Sequence, residues 1–123
     1  MSSYTIYPSE DGKYIVLEQR GELNSESATT HVQEAHRLGE ELGITRYLVD
    51  LTEARNVNSV SKTYQYAYKD SKTSAVTNRI LRVSMLVRPE DHTHDFVETA
   101  LRNAGHNVTL FRDRELAIEH LLK

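Results

Sequence analysis

The chain contains no cysteine, and it has only two prolines and five glycines among its 123 residues. Without cysteine, the chain has no disulfides, no thiolate nucleophile and no thiolate zinc site. The glycine-rich and nucleophile motifs of common enzymes, such as G-x-G-x-x-G, the Walker loop and G-x-S-x-G, are also missing. These absences predict a protein that is not an enzyme and that needs no cofactor.

Excess charge of one sign and long apolar runs are also lacking. With 15 basic and 18 acidic residues, the formal net charge is −3, which gives no general attraction to nucleic acid or to an anionic membrane. No run of about 18 apolar residues predicts a membrane span, and the amino terminus lacks the features of a signal peptide. We therefore expect a cytoplasmic protein, and its length predicts one domain over residues 1–123.

Hydrophobic patterning in the first half predicts a hairpin, a helix and a strand. Two β-rich runs, 4–7 and 14–21, are joined by a turn that contains Gly12. Asn24 then precedes apolar residues at helical spacing, and Gly43 is a typical helix end. A short apolar run at 47–49 predicts a buried parallel strand that stops at about residues 50–52.

The second half continues the alternation. A weaker helix is predicted from about 59 to 75, a strand near 83–87, a helix from 96 to 104 that ends at Gly105, a strand at 108–111 and a closing helix. The predicted order is ββαβαβαβα. Such an order favours an α/β fold with a mostly parallel sheet, an antiparallel edge strand and helices packed on it. An uncovered edge of the first hairpin is compatible with a homodimer.

In open α/β sheets, ligands bind where the carboxyl ends of strands lead into helices. The longest such loop is predicted from Asp50 to Ser59, followed by Ser61. Ser59, with Asn58 beside it, would start the second helix, where free backbone N–H groups stabilise an added phosphate. The candidates for a phosphate acceptor or for partner contact are therefore Ser59, Ser61, Asn58 and Asp50, and the recognition surface is predicted at residues 50–61 and the following helix. A serine at a helix start is more often only an N-cap.

Two segments carry a resemblance to a known fold. The predicted order, the strand RYLVDLT at 46–52 and the ending LFRDRELAIEHL at 110–121 resemble the STAS fold over nearly the whole chain. That group includes the bacterial anti-sigma factor antagonists and a branch of small STAS/CRAL-TRIO-like proteins of uncharacterised role. The resemblance implies a protein-binding, regulatory function.

The same resemblance bears on Ser59. In the antagonists, the strand is followed by Asp-Ser-Ser-Gly at the next helix start, and the partner kinase phosphorylates the first serine. Ser59 follows Asp50 at the spacing that the resemblance implies, with Asn58 in place of the aspartate. Val60 and Ser61 replace the Ser-Gly pair, so the chain is more similar to the branch that lacks the phosphorylation motif.

The predicted second helix carries a tyrosine pair. Tyr64 and Tyr68 share one face with Val60, and this face either packs on the sheet or covers an apolar pocket or interface. The second alternative gives a competing function, a carrier or sensor of a small apolar or lipid-like ligand. An enzyme of unrecognised type is the third alternative.

The histidines give weaker signals. His92 and His94 follow two acidic residues, but residues two apart on a helix point in different directions, so a solvated helix start is preferred to a metal site. His31, His36, His106 and His120 are scattered, and each is expected at the surface or half-buried.

Overall fold

A computed structural model describes residues 3–57 and 81–123. In chain order its elements are β1 (Ser3–Pro8), β2 (Ile15–Leu23), α1 (Ser25–Leu42), β3 (Arg46–Asn56), β4 (Arg82–Leu86), α2 (Asp95–Asn103), β5 (Val108–Phe111) and α3 (Arg114–Leu121). Each of these corresponds to a predicted element. The helix predicted from about 59 to 75 lies outside the described residues.

The five described strands form one sheet in the order β1-β2-β3-β4-β5. β1 and β2 pair in antiparallel fashion, whereas β2, β3, β4 and β5 are parallel neighbours. This arrangement confirms the predicted fold class, with β1 as the antiparallel edge strand. The carboxyl ends of the four parallel strands consequently meet at one edge, and the turn between β1 and β2 lies at the opposite edge.

Local signals set both ends of α1. Asn24 accepts a hydrogen bond from the Ser27 amide at 3.0 Å, and the Ser27 hydroxyl accepts one from the Asn24 amide at 3.1 Å. This reciprocal pair satisfies two backbone donors that the first turn leaves free. Gly43 ends the helix in the left-handed region, at φ 69°.

The end of β3 differs from the sequence prediction. The strand was expected to stop near residues 50–52, but it continues to Asn56. Pairing with β4 ends at Asp50, whereas residues 53–56 pair with the last residues of β2 beyond a register shift. The prediction was wrong because this polar segment is held by a distant strand, which its own sequence does not reveal.

Helices cover both faces of the sheet. Ala35 of α1 and Ala100 and Leu101 of α2 belong to core clusters that share Val49 and Val83 of the sheet. Because side chains alternate along a strand, Leu48 and Leu86 lie on the opposite face, where they pack with Ala117 and Leu121 of α3. α1 and α2 therefore lie on one face and α3 lies on the other.

The two later helices are short. α2 has nine residues and α3 has eight, and Asp113 caps α3 by accepting hydrogen bonds from the amides of Glu115 and Leu116. Across residues 3–57 and 81–123, no helix combines the length and the apolar character that crossing a membrane requires.

Candidate functional site

Most of the residues singled out in the sequence fall outside the described part of the chain. These are Asn58, Ser59, Val60, Ser61, Tyr64 and Tyr68. Asp50 is described, and it lies within β3 instead of at the start of a loop. The neighbouring described residue, Val57, is exposed and donates a backbone hydrogen bond to Leu23 at the carboxyl end of β2.

Asp50 is a buried carboxylate with a full set of partners. Its residue exposure is 5%, and one oxygen accepts bonds from the Thr52 amide at 3.0 Å and the Thr52 hydroxyl at 2.7 Å. The other oxygen pairs with the guanidinium of Arg114 at the start of α3. These contacts compensate the cost of burying the charge. They also tie α3 to the centre of the sheet, and a partner-contact role for Asp50 stays a prediction.

The carboxyl ends of the parallel strands meet residues 88–95, a hydrogen-bonded loop together with the first residue of α2. Asp91 accepts bonds from the amide and the hydroxyl of Thr93 at 2.9 and 2.8 Å. Thr93 in turn accepts a bond from the Asn56 amide at 3.1 Å, and its carbonyl accepts one from the Asn56 side chain at 3.0 Å. The end of β3 and the loop before α2 are therefore fixed to each other.

Charged side chains cover this loop. The Arg112 guanidinium lies 2.7 Å from Asp95, and the His92 ring lies 2.7 Å from the same carboxylate. Partial burial raises the pKa of Asp95, but the hydrogen bonds from His92 and Arg112 outweigh it, so the pKa is lowered overall. Arg88 and Glu90 remain largely exposed beside them. We name residues 88–95 and Arg112 the strand-end surface.

His94 does not belong to the exposed part of this surface. The prediction of a solvated helix start holds for exposed His92, but His94 is buried, with a residue exposure of 3%. Its Nε2 lies 3.2 Å from the Ala54 carbonyl and 3.7 Å from Asp91. Burial lowers the pKa of His94, against smaller opposing contributions from these neighbours. Among the described residues, no group of His, Asp or Glu could hold a metal ion.

A cavity lies on the α1/α2 face of the sheet. Its volume is about 110 Å³, and its described lining is mostly apolar, with Leu17, Val49, Leu51, Val83 and Met85 supplied by the strands. Helices α1 and α2 contribute further apolar side chains from its two sides. Four buried polar side chains also line it: Gln19, His36, His94 and His106.

Tyr47 and Gly39 position His36 in the cavity wall. The rings of His36 and Tyr47 stack with centroids 5.0 Å apart and planes inclined by 6°. A Cβ atom at Gly39 would lie only 2.0 Å from the Tyr47 hydroxyl, so glycine at this position lets the tyrosine ring lie against α1. Burial lowers the pKa of His36, an effect that Glu40 partly opposes.

A hydrogen bond from His31 holds the Gln19 side chain in the cavity wall. His31 donates from Nδ1 to the Gln19 side-chain oxygen at 2.7 Å, and the Tyr4 ring stacks on His31 at 4.0 Å. The Tyr4 hydroxyl then donates to Glu34 on α1 at 2.6 Å. This chain of contacts joins β1, β2 and α1, and it fixes the orientation of Gln19 in the cavity wall.

The expectation that His31, His36 and His106 are surface or half-buried residues was wrong, since all three are buried. One signal in the sequence could have placed His36, because it follows Val32 by four residues on the apolar face of α1. Gln19 likewise continues the alternation of Ile15 and Leu17 in β2. Spacing alone assigns His36 and Gln19 to the core, although both side chains are polar.

Comparison with known proteins places the fold but not the function. No family model matches the chain, and no curated protein matches it either. An uncharacterised protein of the DUF3478 family from Shewanella loihica PV-4, described as having a SpoIIAA-like fold, is 22% identical with a TM-score of 0.55. The match covers 98% of this chain and 93% of that one.

Two further solved structures are anti-sigma factor antagonists. The protein from Mycobacterium paratuberculosis is 11% identical, with a TM-score of 0.64, over 100% of this chain and 96% of that one. A STAS domain from Rhodobacter sphaeroides is 15% identical over 91% and 87% of the two chains, but its TM-score of 0.39 carries no argument. The likeness confirms the predicted fold, which is the SpoIIAA-like, or STAS, fold.

Proposed function

We propose that this chain is a non-enzymatic, cytoplasmic regulatory module that binds a protein partner. The observation that carries the proposal is the charged strand-end surface, formed where loops meet the carboxyl ends of β3, β4 and β5. Hydrogen bonds hold Asp95 to His92 and to Arg112, which limits the entropy lost on binding. The likeness in fold to an anti-sigma factor antagonist, a regulatory protein by its description, supports the same proposal.

Site-directed photo-crosslinking in cells of the source organism tests this proposal. A photoreactive amino acid at exposed Glu90 lies on the strand-end surface, and one at exposed Lys13 lies in the turn at the opposite edge of the sheet. We expect a discrete cross-linked protein from position 90 and none from position 13. Equal cross-linking from both positions, or none from position 90, would contradict the proposal.

Ser59 would give this module a means of regulation. The residue follows the end of β3 along the chain, and Asn56 at that end is hydrogen-bonded to Thr93 of the strand-end surface. A phosphate at Ser59 would add negative charge to this part of the chain, next to the proposed partner. We expect phosphorylation at Ser59 in the protein purified from its own cells, detected by mass spectrometry. With a partner identified, Ser59→Asp should weaken binding while Ser59→Ala leaves it unchanged. A protein that is never modified, and an Asp variant that binds normally, would eliminate this role.

The cavity favours a second candidate function, a carrier or sensor of a small apolar ligand. A largely apolar cavity is the usual setting for such a ligand, and its few polar side chains fix orientation. The described lining comes from the sheet and from α1 and α2, while Tyr64 and Tyr68 lie outside the described residues. Binding of benzene vapour or of xenon, followed by shifts of the methyl signals of Leu17 and Val83, tests this function.

A further inference from the structure

We infer that the cavity on the α1/α2 face binds a small, neutral, mainly apolar molecule whose single hydroxyl group hydrogen-bonds to His36. This inference rests on the second proposed function, and it adds the ligand class and the anchoring residue. It is carried by the size of the cavity, the chemistry of its wall and the state of the His36 ring.

The volume limits the ligand. An apolar cavity of about 150 Å³ in an engineered protein holds one benzene molecule. The present cavity, at about 110 Å³, has room for a ligand of similar or slightly smaller size. A lipid chain would exceed this volume. The occupant is therefore a short alcohol or a compact ring compound with one polar substituent.

The His36 ring supplies an unused hydrogen-bonding group. His36 has a residue exposure of 6%, and no hydrogen bond joins its ring to any described residue. A hydroxyl group of a ligand would supply a hydrogen bond to this ring that none of the described residues provides. Stacking on Tyr47 prevents the ring from turning away from the cavity wall.

The charge state of the wall selects a neutral ligand. Because burial lowers the pKa of His36, the ring is neutral near pH 7, with one nitrogen as donor and the other as acceptor. A hydroxyl group can pair with either nitrogen. A carboxylate would enter a mostly apolar cavity, and among the described lining residues it would meet no lysine or arginine to compensate its desolvation.

Phenol and benzene form a matched pair of probes, since they differ by one hydroxyl group. We expect phenol to bind and to shift the imidazole NMR signals of His36 in the unaltered protein. In His36→Phe, which keeps an aromatic ring against Tyr47, phenol should bind about tenfold more weakly, the scale of one lost hydrogen bond. Benzene affinity should change by less than about twofold.

A control substitution and the NMR readout keep the test decisive. His120→Phe changes a histidine on α3, on the other face of the sheet, and should leave both affinities unchanged. The shift of His36 in the unaltered protein needs no variant and therefore does not depend on the folding of His36→Phe. If benzene binds and phenol binds equally well to His36→Phe and to the unaltered protein, the role of His36 is wrong, while the carrier function stands. Failure of both probes to bind would overturn the carrier function as well.

Discussion

On the α3 face of the sheet, Leu48, Leu86, Ala117 and Leu121 pack with exposures of 3% or less, and the Ser84 hydroxyl donates to the Ala117 carbonyl at 2.9 Å. The α1/α2 face is different, because it combines an apolar cavity with buried histidines and a glutamine. Among residues 3–57 and 81–123, close packing on one face and a cavity on the other indicate separate roles. The α3 face stabilises the sheet, and the described part of the opposite face combines its apolar core with space and polar groups that line the cavity.

The polar groups sharpen the same contrast. Asp50, which projects toward the α3 side, has both carboxylate oxygens occupied by Thr52 and Arg114. His36, in the cavity wall, has no hydrogen bond to a described residue. A fully paired carboxylate such as Asp50 serves the fold, whereas an imidazole that lines a cavity is available to a ligand. Pairing alone does not separate the two faces, because the buried Nε2 of His120 on α3 also has no hydrogen-bond partner among the described residues.

The largest expected effect comes from truncating a leucine on each face. Leu48→Ala should lower the free energy of unfolding by about 3–5 kcal/mol, because it leaves a void in a closely packed cluster. Leu51→Ala should cost about 2–3 kcal/mol, since part of this side chain already borders the cavity instead of packed atoms. Urea denaturation of both variants measures the difference. Equal losses would show that the two faces are packed alike.

A smaller change in stability is expected when a buried helix alanine on each face is replaced with leucine. Ala117 and Ala35 are both buried, at 0% and 2% exposure, but only Ala35 lines the cavity. Ala117→Leu should destabilise the protein by about 1–3 kcal/mol through overpacking. Ala35→Leu should change the stability by less than about 1 kcal/mol, because the added atoms enter empty space. A larger loss for Ala35→Leu than for Ala117→Leu would reverse the proposed contrast.

The sequence predicts the fold where local signals decide the structure. Asn24 and Gly43 bound α1 because capping depends on residues within one turn of each helix end. The order of elements then fixes a mostly parallel sheet. Residues 53–56 were assigned to a loop because their strand depends on pairing with β2, more than thirty positions earlier in the chain.

The contrast between local signals and contacts between distant residues also explains what could be predicted of the site. The recognition surface was predicted at residues 50–61, and it stays a prediction because most of its candidate residues lie outside the described part of the chain. The charged 88–95 loop follows from the same general rule for α/β sheets, but it was not chosen as the candidate surface. The cavity was not located, because the burial of His36 depends on Tyr47 and that of Gln19 depends on His31. Polar residues are assigned to the surface by default, so a polar residue in a core position requires knowledge of its distant partner.

The smallest expected effect is a pH dependence that originates mainly on the cavity face. Burial lowers the pKa of His31, His36 and His94, so the folded state binds fewer protons at these positions than the unfolded chain does. Their contribution to stability is complete above the unfolded pKa of about 6.5, and it is lost as the pH falls from there toward the lower folded values. Each imidazole contributes a slope of no more than about 1.4 kcal/mol per pH unit.

Urea denaturation at about pH 7.5 and about pH 5.5 measures this dependence, and His36→Phe assigns part of it to the cavity. We expect the unaltered protein to be less stable at the lower pH and the variant to lose less stability over the same interval. Lowered carboxyl pKa values, such as those of Asp91 and Asp95, act only below about pH 4 and do not contribute in this window. If His36→Phe leaves the pH dependence of stability unchanged, the His36 ring binds protons equally in the folded and unfolded states. In that case burial does not lower the pKa of His36, and the pH dependence does not distinguish the cavity face from the α3 face.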